Sequence, residues 1–124
     1  MKVIVIGTGI MGTGIIAGLI AQRIPTVLLG RDAARCAGAI RNATRIATGL
    51  VANAKADASL VESGLIDAWS AWAGASIVIE TVAEDLALKQ ALFRDLDARV
   101  PAHIPLGVRT ARRSPGVSCH CWCN

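Results

Sequence analysis

Three glycines near the start of the chain have the spacing of a loop that binds a dinucleotide. Gly7, Gly9 and Gly12 follow the pattern G-x-G-x-x-G. In such a loop the first glycine permits a tight turn, the second lets a pyrophosphate approach bare backbone, and the third lets a helix pack closely against a strand. The pyrophosphate is held by unpaired N–H groups and the positive dipole end of the helix. We therefore predict cofactor contacts from Gly7, Thr8, Gly9, Ile10, Met11 and Gly12.

The elements around this loop agree with that interpretation, which is weak for the glycines alone. The β-branched run Val3–Ile6 predicts a strand, Lys2–Ile6, that ends before Gly7, and a helical pattern runs from Met11 to about Arg23. Later segments alternate between strand and helix patterns: a strand at 26–29, a helix at 33–56, a short strand at 65–66, a strand at 76–80, a helix opened by Asp85 and ended by Pro101, and a strand start at 104–107. This alternation predicts an α/β fold, a Rossmann-type doubly wound parallel sheet.

Composition and charge limit the possible functions. Hydrophobic residues make up 53% of the 124-residue chain, which is enough for the core of one domain. Residues 1–107 hold 10 Lys and Arg against all 9 Asp and Glu, a net charge of +1, so a nucleic-acid partner is not expected. No apolar run reaches the roughly 18 residues of a membrane span, and the first residues do not resemble a signal peptide. We expect a cytoplasmic protein without a membrane partner.

Cysteine and tryptophan side chains suggest structural roles. Cys119, Cys121 and Cys123 alternate with His120 and Trp122, and this spacing does not match the C-x2-C pattern of zinc sites. No metal is therefore expected. Cys36 is interpreted as a small apolar residue of a helix, and Trp69 and Trp72 as core residues rather than cofactor contacts.

A second block of sequence is more specific than the glycines. Residues 78–97 read V-I-E-T-V-A-E-D-L-A-L-K-Q-A-L-F-R-D-L-D. Together with G-T-G-I-M-G-T-G-I at 7–15, this block resembles the NAD-binding domain of the 3-hydroxyacyl-CoA dehydrogenases, and the resemblance covers residues 2–107. It implies oxidation of an L-3-hydroxyacyl-CoA to the 3-ketoacyl-CoA with NAD, in fatty-acid metabolism. It also implies that Glu84 and Lys89 lie in the cofactor site. Alone, these two residues also fit a carboxylate at a helix start and a lysine on the solvent side.

The end of the second predicted strand departs from the family. The family has an Asp there that accepts a hydrogen bond from the ribose 2′-OH, whereas this chain has Gly30 followed by Arg31. Loss of the acid removes repulsion against a 2′-phosphate, and an adjacent arginine can pair with one. Asp32 can also reach back toward the hydroxyl. The cofactor is therefore expected to be NAD, with NADP possible, and Gly30 and Arg31 are predicted to contact it.

The end of the chain is a second departure. The family continues with a catalytic His in an H-F-F-N-P run, a Glu that orients it, and a helical domain for dimerisation and acyl-CoA binding. His103 and His120 match no catalytic motif, so no catalytic residue is assigned. We expect a truncated domain that is inactive alone, lacks the C-terminal helical domain and forms a homodimer only with that domain present.

The tail itself predicts a shifted reading frame. Codons possible for Val108–Ser114, read one base out, permit Ser-Asn-Ser-Ser-Ala-Phe-Pro, which is close to the family loop at that place. Residues 1–107 are therefore expected to form the NAD(P)-binding domain, and residues 108–124 an aberrant, unstructured tail.

Two other functions remain open from the residues. One is an NADP-linked reductase of the 3-hydroxyacid or 6-phosphogluconate type, favoured by Gly30 and Arg31. The other is a nucleotide-binding module without catalysis.

Overall fold

One parallel sheet organises the chain. A computed structural model describes residues 2–50, 58–82 and 86–108. The strands of these segments are β1 (Lys2–Ile6), β2 (Thr26–Gly30), β3 (Val61–Leu65), β4 (Ala75–Glu80) and β5 (Leu106–Val108). Their helices are α1 (Ile10–Ala21), α2 (Ala33–Leu50) and α3 (Leu86–Arg99), with short 3-10 turns at Ala58–Leu60 and Trp72–Gly74.

The strand order identifies the fold. The sheet runs β3-β2-β1-β4-β5, and every neighbouring pair is parallel. The order reverses beside β1, since the chain moves outward through β2 and β3 and then returns to pair β4 with the other edge of β1. The predicted doubly wound α/β fold of Rossmann type is thereby confirmed. In such sheets, the crevice at the reversal point lies outside the carboxyl ends of the strands and is the usual place for a ligand.

Alternating side chains of the strands build two cores. Val3 and Val5 lie in the cluster that contains Ile16 of α1 and Ala43 of α2. On the opposite face, β1 and β2 contribute to a second cluster with the 3-10 turn and α3, and its members include Ile4, Ile6, Val27, Leu29, Trp72 and Leu96. Because both faces are covered, the inner strands β1, β2 and β4 read as nearly continuous apolar runs.

Several predicted boundaries were wrong by a few residues. Helix α1 begins at Ile10 rather than Met11, and β2 extends to Gly30. The larger error is β3, which spans Val61–Leu65 rather than 65–66. It is an edge strand with exposed Glu62 and Ser63, so its sequence lacks the apolar run that marked the inner strands. The predicted continuation of α2 to residue 56 and the helix start at Asp85 lie outside the described residues.

Both predicted core tryptophans lie in or against the second core. Trp72 is buried in the second core and donates its Nε1–H to the carbonyl of Trp69 at 3.0 Å, while Trp69 packs against the same cluster. Their interpretation as core residues is confirmed.

Among the helices that the structure describes, none is long and apolar enough to cross a membrane. The segments 2–50, 58–82 and 86–108 hold no cluster of three or more His, Cys, Asp or Glu suited to a metal ion, and the cysteines of the tail lie outside them.

Two isoleucines of α1 allow a matched test of this core. Ile16 has 0% of its surface exposed, and Ile10 on the same helix has 91%. We expect Ile16→Ala to lower the free energy of unfolding by about 2–5 kcal/mol because it removes buried methyl groups and leaves a cavity. Ile10→Ala should change it by less than about 0.5 kcal/mol. Urea denaturation followed by circular dichroism measures both, and equal losses in the two variants would contradict the assigned packing of α1.

Candidate functional site

A cleft of about 1060 Å³ opens at the carboxyl ends of β1 to β4. Each connection that leaves these ends contributes to its lining, and so does the inner face of α3. The lining includes Gly7–Met11 after β1, Gly30–Asp32 at the end of β2, Ile66 and Asp67 after β3, Thr81 and Val82 after β4, and Leu88, Leu92 and Asp95 of α3. The cleft therefore occupies the position where the reversal of strand order predicts a ligand.

The turn between β1 and α1 leaves no room for side chains at two of its glycines. Gly7 has a φ of +121°, a conformation that residues with a Cβ atom rarely adopt, and a Cβ there would collide with Oγ1 of Thr81. A Cβ on Gly12 would collide with the carbonyl oxygen of Gly7. Only glycine at both positions lets α1 begin immediately after the strand.

The middle glycine lies in open space. A Cβ on Gly9 would meet nothing within 4 Å, and the residue is the exposed N-cap of α1. No side chain caps this helix, and its first turn contains no acidic residue. The positive end of the helix dipole thus faces the cleft without a neutralising carboxylate. This arrangement suits an anion such as a pyrophosphate.

Thr81 ties the end of β4 to the glycine loop, and sequence reasoning missed it. Its backbone N–H and its hydroxyl both donate to the carbonyl of Ile6, each at 2.9 Å. Its Oγ1 also lies against the positions that side chains at Gly7 and Gly12 would occupy. The sequence signal was a threonine directly after the buried strand β4, where it can lie beside the turn that leaves β1.

At the end of β2, a close contact explains the absence of an acidic side chain. Gly30 is buried, and a Cβ there would lie 2.8 Å from Sγ of Cys36 and 3.0 Å from Cγ2 of Thr8. Asp32 accepts hydrogen bonds through Oδ1 from the N–H groups of Ala34 at 2.7 Å and Arg35 at 3.3 Å. Asp32 therefore caps α2, which is a different role from reaching back to a ribose hydroxyl.

The cleft also contains an arginine that was not among the predicted site residues. Arg35 lines the cleft together with Arg31, and both are exposed. The sequence signal is the spacing from the end of β2: Arg35 belongs to the first turn of α2, which starts only two residues after Arg31.

Lys89 lies behind the cleft beside a buried carboxylate. Glu80, the last residue of β4, has 0% exposure, and its Oε2 lies 3.9 Å from Nζ of Lys89. Its Oε1 accepts a hydrogen bond from the N–H of Val82. Burial raises the pKa of Glu80, while the Lys89 ammonium and the Val82 N–H act in the opposite direction.

The structure thus brings together most of the predicted site residues. Gly7 to Met11, Gly30 and Arg31 line the cleft, whereas Gly12 lies beneath the loop and Lys89 does not line the cleft. The alternative of a solvent-side lysine at 89 is wrong, because the residue is only 6% exposed. Glu84 lies outside the described residues.

An open parallel sheet of this order, with a glycine turn and an uncapped helix start facing the cleft, defines a Rossmann-type dinucleotide-binding domain. The family described as "3-hydroxyacyl-CoA dehydrogenase, NAD binding domain" matches residues 2–115. The chain belongs to this family, and its cofactor is NAD. The resemblance predicted from the two sequence blocks is confirmed.

Individual relatives give the same result. The peroxisomal fatty acid beta-oxidation multifunctional protein MFP2 of Arabidopsis thaliana is 30% identical, and the match covers 89% of this chain and 16% of the relative. The glyoxysomal multifunctional protein MFP-a of Cucumis sativus is 32% identical with the same coverage. The solved 3-hydroxybutyryl-CoA dehydrogenase of Escherichia coli has a TM-score of 0.75 and 27% identity, over 92% of this chain and 25% of that one. The chain thus spans a small part of the length of these relatives.

The open space at Gly9 generates a steric test of the cofactor site. We expect Gly9→Val to reduce NADH affinity at least about tenfold, because its side chain would project where the pyrophosphate meets the backbone. The fold should persist, since a Cβ at this position meets nothing within 4 Å. Gly14→Val is the matched control, because Gly14 is also exposed and free of contacts but lies outside the cleft. Calorimetric titration measures both; equal affinities in the two variants would contradict the site.

The raised pKa of Glu80 predicts a pH dependence of stability. A carboxyl group whose pKa is higher in the folded state stabilises the fold below its ordinary value of 4.5, and this contribution is lost as pH rises through the folded value. We therefore expect the free energy of unfolding of the wild type, relative to Glu80→Gln, to fall as pH rises from 4.5. Urea denaturation at a series of pH values measures the difference. A difference that grows with pH would contradict the assignment.

Proposed function

We propose that this chain is the NAD-binding part of an enzyme that oxidises an L-3-hydroxyacyl-CoA to the 3-ketoacyl-CoA. The observation that carries the proposal is the uncapped start of α1 at the cleft, held by the Gly7 turn in a chain of the 3-hydroxyacyl-CoA dehydrogenase family. When bound, NAD accepts the hydride that leaves the hydroxyl-bearing carbon of the substrate.

Different parts of the cleft bind different parts of the cofactor. The backbone at Gly9 and the first turn of α1 bind the pyrophosphate, and the end of β2 at Gly30 and Arg31 lies beside the adenosine ribose. The nicotinamide half of the cofactor then lies on the side of the cleft that Thr81 and α3 form. In our proposal Glu84 and Lys89 belong to that half of the site. The Lys89 ammonium lies 3.9 Å from Oε2 of Glu80, the last residue of β4, which directly precedes Thr81 of the cleft.

Oxidation of the substrate also removes the proton of its hydroxyl, and in the family a histidine is the base that accepts this proton. No histidine lines the cleft within residues 2–50, 58–82 and 86–108. His103 lies in the turn that precedes β5, at the amino end of that strand and therefore at the opposite end of the parallel sheet from the cleft. His120 lies outside the described residues. We therefore propose that the 124-residue chain binds the cofactor but does not catalyse the oxidation alone.

The remaining parts of the proposal concern the rest of the protein. We propose that residues 1–107 are the NAD-binding domain, that 108–124 are a frame-shifted tail, and that a separate helical domain supplies acyl-CoA binding and a homodimer contact. The family match extends past this boundary to residue 115, so sequencing of the gene across codon 107 is the direct check. We also propose a cytoplasmic enzyme without a nucleic-acid partner, in keeping with the near balance of charges over residues 1–107.

A paired binding and activity assay tests the function. We expect the 124-residue chain to bind NADH and to show no oxidation of 3-hydroxybutyryl-CoA with NAD. A product made from the gene with its frame restored after codon 107 should turn over the same substrate at about 1 s⁻¹ or more. Failure of the folded chain to bind NADH would contradict the cofactor site. Turnover of that size by the 124-residue chain would contradict the claim that its base is missing.

A further inference from the structure

We propose that Arg31 and Arg35 form a binding site for the 2′-phosphate of NADP(H), so that this chain accepts NADPH as well as NADH. The proposal rests on the proposed function, because the phosphate reaches these residues only when a dinucleotide occupies the cleft. It goes beyond that function by assigning a specificity site at the adenosine end.

The first step is the exclusion of the acid that would select NAD. A side chain at Gly30 has no space, because its Cβ would lie 2.8 Å from Sγ of Cys36 and 3.0 Å from Cγ2 of Thr8. Cys36 is itself only 1% exposed, so its thiol cannot move aside into solvent. An aspartate at this position would therefore have to displace the side chains of Cys36 in α2 and Thr8 in the glycine loop.

The second step is the role of the nearest carboxylate. Oδ1 of Asp32 already accepts the N–H groups of Ala34 and Arg35 at the start of α2. A carboxylate that caps a helix is held in place by those bonds and by the helix dipole. Asp32 therefore caps α2 through Oδ1, and those bonds, rather than a ribose hydroxyl, fix its position.

The third step is the presence of two available cations. Arg31 and Arg35 both line the cleft and are exposed, and neither forms an ion pair within the part of the chain that the structure describes. They lie on either side of Asp32 in the sequence, at the end of β2 where the adenosine ribose binds in Rossmann domains. Guanidinium groups pair with phosphate through two parallel N–H···O bonds, so a 2′-phosphate is the ligand that this pair fits.

The charges on this side of the cleft determine how strongly the site favours a cofactor with a 2′-phosphate. Asp32 and Asp67 also line it, so the two arginines are balanced by two carboxylates. The local charge is therefore near zero. A site in which a further carboxylate contacts the ribose has a negative local charge instead. We therefore expect tolerance of the 2′-phosphate rather than strong selection for it.

Titrations of the wild-type chain with NADH and NADPH test the proposal, because the two ligands differ only by the 2′-phosphate. We expect dissociation constants that agree within about tenfold. A preference for NADH above tenfold would overturn the 2′-phosphate site while leaving the cofactor site intact. Failure to bind either ligand would overturn both proposals, so the two failures are distinguishable.

Three arginine variants locate the phosphate. Arg31→Ala and Arg35→Ala should each weaken NADPH binding about fivefold and leave NADH binding within about twofold, since each removes a charge-assisted contact to one phosphate. Arg41→Ala is the matched control, because Arg41 is an exposed arginine of α2 outside the cleft, and it should change neither affinity. Equal effects of Arg31→Ala and Arg35→Ala on both cofactors, or no effect on either, would overturn the proposal.

The packing at Gly30 supplies the reverse experiment. Gly30→Asp alone should lower the melting temperature because of its contact with Cys36, whereas Gly30→Asp with Cys36→Ala removes the closer of the two contacts of the new side chain. We expect the double variant to shift the ratio of affinities toward NADH by more than about tenfold, through repulsion of the 2′-phosphate. Cys36→Ala alone should leave the ratio unchanged. An unchanged ratio in a folded double variant would overturn the proposal.

Discussion

The close passage of the β1–α1 turn beneath Thr81 is the constraint on which the rest of the site depends. The backbone of Gly7, the start of α1 and the end of β4 meet there, and the Thr81 side chain lies where Cβ atoms on Gly7 and Gly12 would be. Because Gly7 and Gly12 lack Cβ atoms, the first helix can begin directly above the central strand, and its amino end faces the cleft. A bulkier residue at either position would displace the helix start, and the N–H groups that bind an anion would move with it.

A second constraint lies beneath the cleft, where the sheet buries an ionisable pair. Glu80 ends an inner strand with no exposure, and its partners are the backbone at Val82 and the ammonium of Lys89. A buried carboxylate of this kind is costly unless it is paired and hydrogen-bonded. The pair joins β4 to α3 and brings a cation close to the half of the cleft assigned to the nicotinamide.

The fold was largely predictable from the sequence because each inner strand is an apolar run followed by a turn signal. Lys2–Ile6, the segment around Val27 and the segment around Val78 are covered on both faces, so their composition reports their burial directly. The strand β3 was mostly missed, because an edge strand with polar residues has no such composition. Boundaries differed by one or two residues, since helix ends depend on local backbone geometry more than on periodicity.

The cofactor loop was predictable because glycine spacing reflects backbone geometry, whereas the other contacts depend on tertiary placement. Thr81 and Arg35 are ordinary residues in the sequence, and only the pairing of β4 with β1 and the packing of α2 against β2 bring them to the cleft. The crowding of Gly30 by Cys36 was also invisible, because it needs the packing of α2 against β2. Sequence reasoning noted the missing acid but could not show that its space is filled.

The central claim is that the pyrophosphate of a dinucleotide binds at the amino end of α1. The most direct measurement is a titration of the isotope-labelled chain with NAD, followed through the backbone amide resonances by nuclear magnetic resonance. We predict that the largest shifts occur at Gly9, Ile10 and Met11, with smaller shifts at the end of β2. The amides near His103, at the opposite end of the sheet, should not change. Shifts concentrated at that opposite end, or spread evenly over the sheet, would contradict the account.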